Sequence, residues 1–139
     1  MASTLVDAGP LVALFGDHEP QRTHYQRLLE RAAAERWRLC TTWPCIVEAS
    51  YLLAPARRYM LLRWVAQGGI TVFPFQQEVL TDFVDLMARY TEEPRTEMDL
   101  ADASLVWLAG ETGVTAIMTT DLRDFARYRL PDGRAFEIL

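Results

Sequence analysis

The sequence predicts an α/β fold in which a parallel sheet is covered by helices on both faces. Short runs rich in β-branched residues alternate with longer helical patterns, and prolines and glycines fall where those patterns begin and end. The chain has 139 residues, of which 50% are hydrophobic and 24% are charged. Because this length and composition suit one core, we expect residues 1–139 to form a single domain with one site.

Five segments are expected to be strands: Thr4 to Asp7, Arg38 to Thr42, Ile70 to Phe73, Val114 to Thr119 and Ala135 to Ile138. Helices are expected to begin at prolines, since proline tolerates the first helical turn; these are Pro10, Pro20 and Pro44. Glycines that follow helical patterns are expected to cap them; these are Gly68-Gly69, Gly110 and Gly113.

Composition limits the location and the redox chemistry of the protein. No apolar run approaches the roughly 20 residues that span a bilayer, and the first residues lack a basic region followed by a long apolar one. We therefore expect a cytoplasmic protein without membrane contact. Cys40 and Cys45 are too few for a disulfide framework and have no ligand partners at zinc spacing, so we expect buried thiols.

The basic residues exclude several enzyme classes. The formal net charge is -5, so any nucleic-acid binding must be local, and all 14 basic residues are Arg. Phosphatases of the haloacid dehalogenase type and receiver domains need a Lys beside the first-strand Asp, and the phosphatases a second Asp where Gly9 stands. The absence of Lys also excludes a P-loop NTPase.

Two acidic residues follow predicted strands directly. Asp7 comes after Leu5-Val6, and Asp121 comes after the run from Val114 to Thr120. In open α/β sheets the carboxyl ends of the strands form the edge where ligands bind. Taken singly, Asp7 is equally suited to cap a helix at Pro10 and Asp121 to close a turn.

Two further acids lie on the apolar faces of predicted helices. Asp102 has Met98, Leu105 and Val106 as helical neighbours, and Glu48 lies in the same way in the helix that begins at Pro44. A buried carboxylate needs a cation, which is either a metal ion or an Arg in a salt bridge. Asp99 precedes Asp102 on the same face, although Thr96 to Asp99 also resembles a capping arrangement with Thr96 as N-cap.

Carboxylates that converge on one cleft select a hard cation. Without His or Cys ligands the expected ion is Mg²⁺, with Mn²⁺ as the alternative, and such ions bind substrate phosphate at their open positions. A metal-bound water can then attack a phosphodiester, so no side-chain nucleophile is required. His18 and His24 have no catalytic partner at a telling spacing and are expected on the surface.

Taken together, these motifs resemble the PIN domain family, and in particular the VapC-like toxins of type II toxin–antitoxin pairs. Each motif is weak alone, but their order and spacing along the chain are specific. They are Leu5-Val6-Asp7-Ala8-Gly9-Pro10-Leu11, Val47-Glu48-Ala49, Met98-Asp99-Leu100-Ala101-Asp102-Ala103-Ser104-Leu105 and Thr119-Thr120-Asp121-Leu122-Arg123-Asp124-Phe125.

The resemblance implies a Mg²⁺-dependent endoribonuclease with a three-layer α/β/α fold and a five-stranded parallel sheet. It also implies RNA as substrate, homodimerisation, and inhibition by a co-encoded VapB-like antitoxin. The residues implied to be catalytic and metal-binding are Asp7, Glu48, Asp102 and Asp121. This sequence has two further acids, Asp99 and Asp124, which are candidates to support the four metal-binding residues. Thr119 either orients Asp121 through a hydroxyl hydrogen bond or packs as an ordinary strand residue, which is the favoured interpretation.

Three questions stay open at the level of the sequence. Arginines could contact RNA phosphates or form solvated helix faces; they are Arg57, Arg58, Arg63, Arg123, Arg127 and Arg129. Trp37, Trp43, Trp64 and Trp107 could stack on bases, but core packing is the favoured interpretation. The alternative function is a non-catalytic PIN-fold interaction domain that binds RNA or a protein partner without cutting.

Overall fold

A computed structural model describes residues 2–139, and its five strands form one sheet in which every pair is parallel. The strands are β1 (Ser3–Val6), β2 (Arg38–Thr42), β3 (Thr71–Phe73), β4 (Ala116–Met118) and β5 (Glu137–Ile138). Their order across the sheet is β3-β2-β1-β4-β5, which places β1 at the centre. The predicted five-stranded parallel sheet is therefore confirmed.

Seven α-helices connect and cover the strands. They are α1 (Ala8–Phe15), α2 (Arg22–Glu35), α3 (Trp43–Leu52), α4 (Pro55–Ala66), α5 (Leu80–Tyr90), α6 (Leu100–Thr112) and α7 (Leu122–Arg127). Within the described residues, no helix is both long and apolar enough to cross a bilayer.

The helices form two layers, one on each face of the sheet. Neighbouring strand residues point to opposite faces, so that Leu5 packs with α5, α6 and α7 while Val6 packs with α1, α2 and α4. Helix α3 lies at the carboxyl edge and reaches both cores, through Cys45 on one side and Ile46 on the other. This is the predicted three-layer α/β/α arrangement.

The chain adds strands first on one side of β1 and then on the other, so the order of the strands reverses at the boundary of β1 and β4. From β1 it moves to β2 and β3 through helices on one face, and it then returns to the other side of β1 through α5 and α6 on the opposite face. Right-handed crossovers in opposite directions require this exchange of faces. The gap between the carboxyl ends of β1 and β4 is thus the topological switch point, where ligands bind in such sheets.

Several predicted boundaries differ from the structure. Asp7 lies just beyond β1, and three strands are shorter than predicted. β3 and β5 lack the first residues of their predicted segments, and β4 lacks residues at both ends. Helix α2 begins at Arg22, two residues after Pro20. The prediction of a cap at Gly110 is wrong, since α6 continues to Thr112 and is capped by Gly113 with φ 75°.

Candidate metal centre

Seven carboxylates line a single cavity of about 270 Å³ at the switch point. All four acids predicted as metal ligands are among them, and so are Asp99 and Asp124. The seventh acid, Glu97, was not predicted; it is an exposed residue just before α6. The acidic residues of the cavity are Asp7, Glu48, Glu97, Asp99, Asp102, Asp121 and Asp124.

Asp7 both caps helix α1 and lines the acidic cavity. The two interpretations of this residue, as a helix N-cap and as a site residue, are therefore compatible. Its Oδ1 accepts a hydrogen bond from the backbone N–H of Ala8 at 2.8 Å, and its Oδ2 accepts one from the Thr119 hydroxyl at 2.8 Å. Only 6% of Asp7 is exposed. Burial raises the pKa of this carboxyl to about 6, against the opposing effect of the two hydrogen bonds.

The Thr119 hydroxyl connects two of the acids. It donates to Asp7 Oδ2 and accepts a hydrogen bond from the backbone N–H of Asp121 at 3.0 Å. The predicted hydrogen bond to Asp121 is therefore present, made through the Asp121 backbone, and the contact with Asp7 was not predicted. Thr119 thus connects the acid after β1 to the start of α7, and Tyr25 donates a 2.9 Å hydrogen bond to the Thr119 carbonyl oxygen.

Asp102 is 8% exposed and has no basic partner within residues 2–139. The alternative of a structural salt bridge to Arg is therefore wrong. Its side-chain partner is the hydroxyl of Tyr128, which donates to Oδ2 at 2.9 Å. Burial, with the nearby charges of Asp99 and Asp7, raises the pKa of Asp102 to about 8.

Asp99 is the N-cap of α6 and does not lie on its face. Its side chain accepts a hydrogen bond from the backbone N–H of Asp102 at 2.8 Å, and its own backbone is extended. The prediction of Thr96 as N-cap is wrong, because the helix starts only at Leu100. The cap fixes the backbone of Asp102 and adds a carboxylate to the rim of the cavity.

Three of the acids come close enough to share one cation. Asp102, Asp121 and Asp124 each offer an oxygen, and these oxygens all lie within 4.8 Å of one another. Asp121 is the N-cap of α7 and accepts the backbone N–H of Asp124 at 3.2 Å, which brings the two residues together. Asp124, predicted only as a supporting residue, is therefore part of the tightest group, although it also pairs with Arg127 at 3.1 Å.

Glu48 reaches the cavity from α3. It is partly exposed, and burial with the charges of Asp99 and Asp7 raises the pKa of its carboxyl.

Gly9 also lines the cavity and leaves no room for a side chain, since a Cβ at this position would collide with the Thr120 side chain. The motif Asp7-Ala8-Gly9 thus allows α1 to start directly beside the chain that follows β4.

The donor set fits a hard divalent cation. The acidic side chains of the cavity supply only carboxylate oxygens, and no His or Cys lines it. Asp7 and Asp102 are buried, yet neither forms an ion pair with any basic residue in the described chain. A buried carboxylate without a neighbouring cation costs folding free energy, so a bound Mg²⁺ would neutralise negative charge that no basic side chain neutralises here.

We expect the metal-free protein to lose stability as the pH rises from 5 to 8. The folded-state pKa values of Asp7 and Asp102, about 6 and about 8, lie above the ordinary 3.8, so the folded state holds protons that the unfolded state has released. The free energy of unfolding falls with pH in that range, by an amount on the order of a few kcal/mol. Urea denaturation in chelator at the two pH values measures it.

Two controls accompany this measurement. Saturating Mg²⁺ should remove most of the decrease in the free energy of unfolding between pH 5 and 8, because the ion stabilises the ionised carboxylates. In the metal-free protein, Asp102→Asn should make this decrease less steep. An equally steep decline in Asp102→Asn would assign the effect to other groups.

Most candidate phosphate-binding arginines have intramolecular partners. Arg57 pairs with Asp17, and Arg58 donates to the carbonyls of Ser50 and Leu53 at the junction of α3 and α4. Arg129 donates to the carbonyls of Ala126 and Tyr128. Arg123 is exposed on α7 between the two cavity acids Asp121 and Asp124.

Three of the four tryptophans pack against the core, which was the favoured interpretation of the sequence. Trp107 contacts Phe75 and Phe83, Trp64 contacts Phe15, and Trp37 lies under the Arg31 guanidinium. Trp43 is 48% exposed at the start of α3.

The remaining side chains of possible chemical interest lie outside the cavity. Both histidines are exposed and both cysteines are buried as free thiols, as predicted.

Comparisons with known proteins agree with this architecture. No curated protein sequence matches the chain. Among solved structures, the Mycobacterium tuberculosis VapC20 toxin, described as cleaving the sarcin-ricin loop, superposes with a TM-score of 0.75 at 15% identity, over 89% of this chain and 94% of that one. FitAcB from Neisseria gonorrhoeae superposes with a TM-score of 0.59 at 17% identity, over 96% of each chain.

Similarity at these identities shows the shared fold. The family assignment comes from the sequence, since the family model for the PIN domain matches residues 4–130. This match spans all four acids predicted as metal ligands. The chain belongs to the PIN domain family.

Proposed function

We propose that the protein is a Mg²⁺-dependent endoribonuclease of the VapC-like toxin type, with Mn²⁺ as an alternative ion. The observation that carries this proposal is the pair of buried carboxylates, Asp7 and Asp102, which face a shared acidic cavity without a basic partner. A structural role would pair them with Arg, whereas a metal site requires them to stay available.

We assign the cation to Asp7, Glu48, Asp102 and Asp121, with Asp124 next to Asp121. A bound Mg²⁺ would lower the pKa of a water molecule and stabilise negative charge on the phosphate oxygens. The chain's own residues do the positioning: Thr119 holds Asp7, and Asp99 holds the backbone of Asp102. Among the described residues, 2–139, no side-chain hydrogen bond or salt bridge occupies the Glu48 carboxylate, which can accept a hydrogen bond from the attacking water.

RNA is the proposed substrate, supported by the likeness to a toxin described as cleaving the sarcin-ricin loop. The acidic surface requires the nucleic acid to be held locally, and exposed Arg123 is the candidate for a phosphate contact near the cavity.

Incubation of the protein with labelled RNA and Mg²⁺ tests the function. A nuclease shortens the RNA, whereas the alternative, a non-catalytic interaction domain, shifts it on a native gel at full length.

A co-encoded antitoxin is the proposed protein partner. Beside the acidic cavity lies a mostly apolar cavity of about 440 Å³, and the two share Glu48 and Asp99. Val47 and Tyr51, which line it, are 65% and 82% exposed. A segment with an apolar face and one guanidinium would fit both cavities at once, because Arg matches carboxylate geometry and is always charged.

We expect inhibition by the antitoxin to weaken when its Arg is replaced, and also when Tyr51→Ala is introduced here. The loss should be about tenfold in affinity for Tyr51→Ala, as for an exposed aromatic anchor, with basal cleavage unchanged. Co-purification followed by an RNA cleavage assay measures both. Binding far from Asp7 and Asp102 that leaves cleavage unaffected would refute this mode of control.

Homodimerisation stays a prediction of the family resemblance. Exposed apolar side chains on α4 are candidates for the contact; they are Tyr59, Met60 and Leu62.

A further inference from the structure

Tyr128 is a fully buried residue just after α7 whose ring packs among other side chains. The rings of Tyr90 and Phe125 meet it edge-on, each with a centroid distance of 5.0 Å, and the Arg127 guanidinium lies 5.5 Å from its centroid. Close packing of this kind disfavours other positions of the side chain. The core therefore favours one position for the hydroxyl.

This hydroxyl points at one oxygen of Asp102. It donates to Oδ2 at 2.9 Å, and Oδ1 has no hydrogen-bond partner within residues 2–139. The Asp102 backbone is held independently by the cap from Asp99. The orientation of the carboxylate is thus set from the core side, with one oxygen left for a ligand.

The Tyr128 hydroxyl that donates to Asp102 is neutral. A neutral donor leaves the charge of Asp102 available to a cation. An Arg in the same position would orient the carboxylate but cancel its charge. The neighbouring cation, Arg127, forms its salt bridge with Asp124 and not with Asp102, and its guanidinium lies 5.5 Å from the centroid of the Tyr128 ring. A phenol hydroxyl orients Asp102 and leaves its negative charge available to a metal ion.

We propose that Tyr128 is a positioning residue that orients Asp102 as a one-oxygen ligand for the divalent cation. This inference rests on the proposed function, because it assigns Asp102 to the metal. The inference assigns a role in the site to Tyr128, a core residue 26 positions after Asp102 in the chain.

Tyr128→Phe tests the proposal, since it removes one oxygen atom and retains the ring. Tyr90→Phe is the matched control, because the Tyr90 hydroxyl accepts only the backbone N–H of Arg129, at 3.1 Å, and the ring packs against Tyr128 itself. Mn²⁺ binding to each full-length protein is measured by calorimetry, with thermal denaturation in chelator and RNA cleavage in parallel.

We expect Tyr128→Phe to weaken Mn²⁺ affinity about tenfold or more, as loss of a ligand's hydrogen-bond partner does elsewhere, while Tyr90→Phe stays within about twofold of the wild type. Equal Mn²⁺ affinity in Tyr128→Phe and wild type would overturn the proposal, as would an equal loss in both variants. If the wild type binds Mn²⁺ but leaves RNA intact, the nuclease function fails and the Mn²⁺ affinities still decide the role of Tyr128. Absence of Mn²⁺ binding to the wild type would overturn both.

Discussion

Asp102→Asn should reduce RNA cleavage by at least about 100-fold while leaving the metal-free protein as stable as the wild type or more stable. The substitution removes a negative charge from the cation site, and loss of metal-based transition-state stabilisation is worth several kcal/mol. An Asn oxygen can still accept the Tyr128 hydrogen bond, so the core contact survives. Because burial disfavours the ionised Asp102, its removal relieves an unfavourable charge above neutral pH.

Asp85→Asn is the matched control, because Asp85 is exposed on α5 and lines a different cavity. It should alter neither cleavage nor the melting temperature appreciably. A large drop in the metal-free melting temperature of Asp102→Asn would instead show that Asp102 stabilises the fold. Unchanged cleavage would remove Asp102 from the site.

Chelation should abolish cleavage altogether. The acidic side chains of the cavity supply only carboxylates, and no imidazole or thiolate lines it to serve as a nucleophile or base in their place. EDTA treatment followed by measured additions of Mg²⁺, Mn²⁺ and Ca²⁺ gives the test. Activity should return with Mg²⁺ or Mn²⁺, and Ca²⁺ should support it poorly because its larger, more flexible coordination positions water less well.

The purified protein must be separated from host nucleases for this assay, and Asp102→Asn prepared in the same way provides that control. If the wild type cleaves RNA in excess chelator while Asp102→Asn does not, that result would contradict the metal mechanism but would still assign cleavage to the acidic site.

The sheet could be predicted from sequence because its central strands are buried on both faces. Leu5-Val6 and Ile117-Met118 place apolar side chains on both sides, and the β2 boundaries were predicted correctly for the same reason. Strand ends were less accurate, since pairing stops where a neighbouring strand ends, as with the two-residue β5. Gly110 lies inside α6, against Pro131, in a contact that local sequence does not reveal.

Four acids of the cluster could be predicted because each lies at the end of a strand or interrupts an apolar helical face; they are Asp7, Glu48, Asp102 and Asp121. The distant partners of Asp7 and Asp102 could not be predicted. Thr119 reaches Asp7 across 112 positions of the chain, and Tyr128 reaches Asp102 across 26, so neither contact has a local signal. The aromatic side chain of Tyr128 looks like ordinary core, and only its hydroxyl, placed by the packing of the ring against Tyr90 and Phe125, connects it to the site.

Anomalous diffraction from crystals grown or soaked with Mn²⁺ locates the bound ion without reference to activity. We expect a strong peak in the acidic cavity, within about 2.0 to 2.4 Å of carboxylate oxygens from Asp102 and at least one of Asp7 and Asp121. An empty cavity in crystals of a protein that cleaves RNA, or a peak only at another acidic surface, would contradict it.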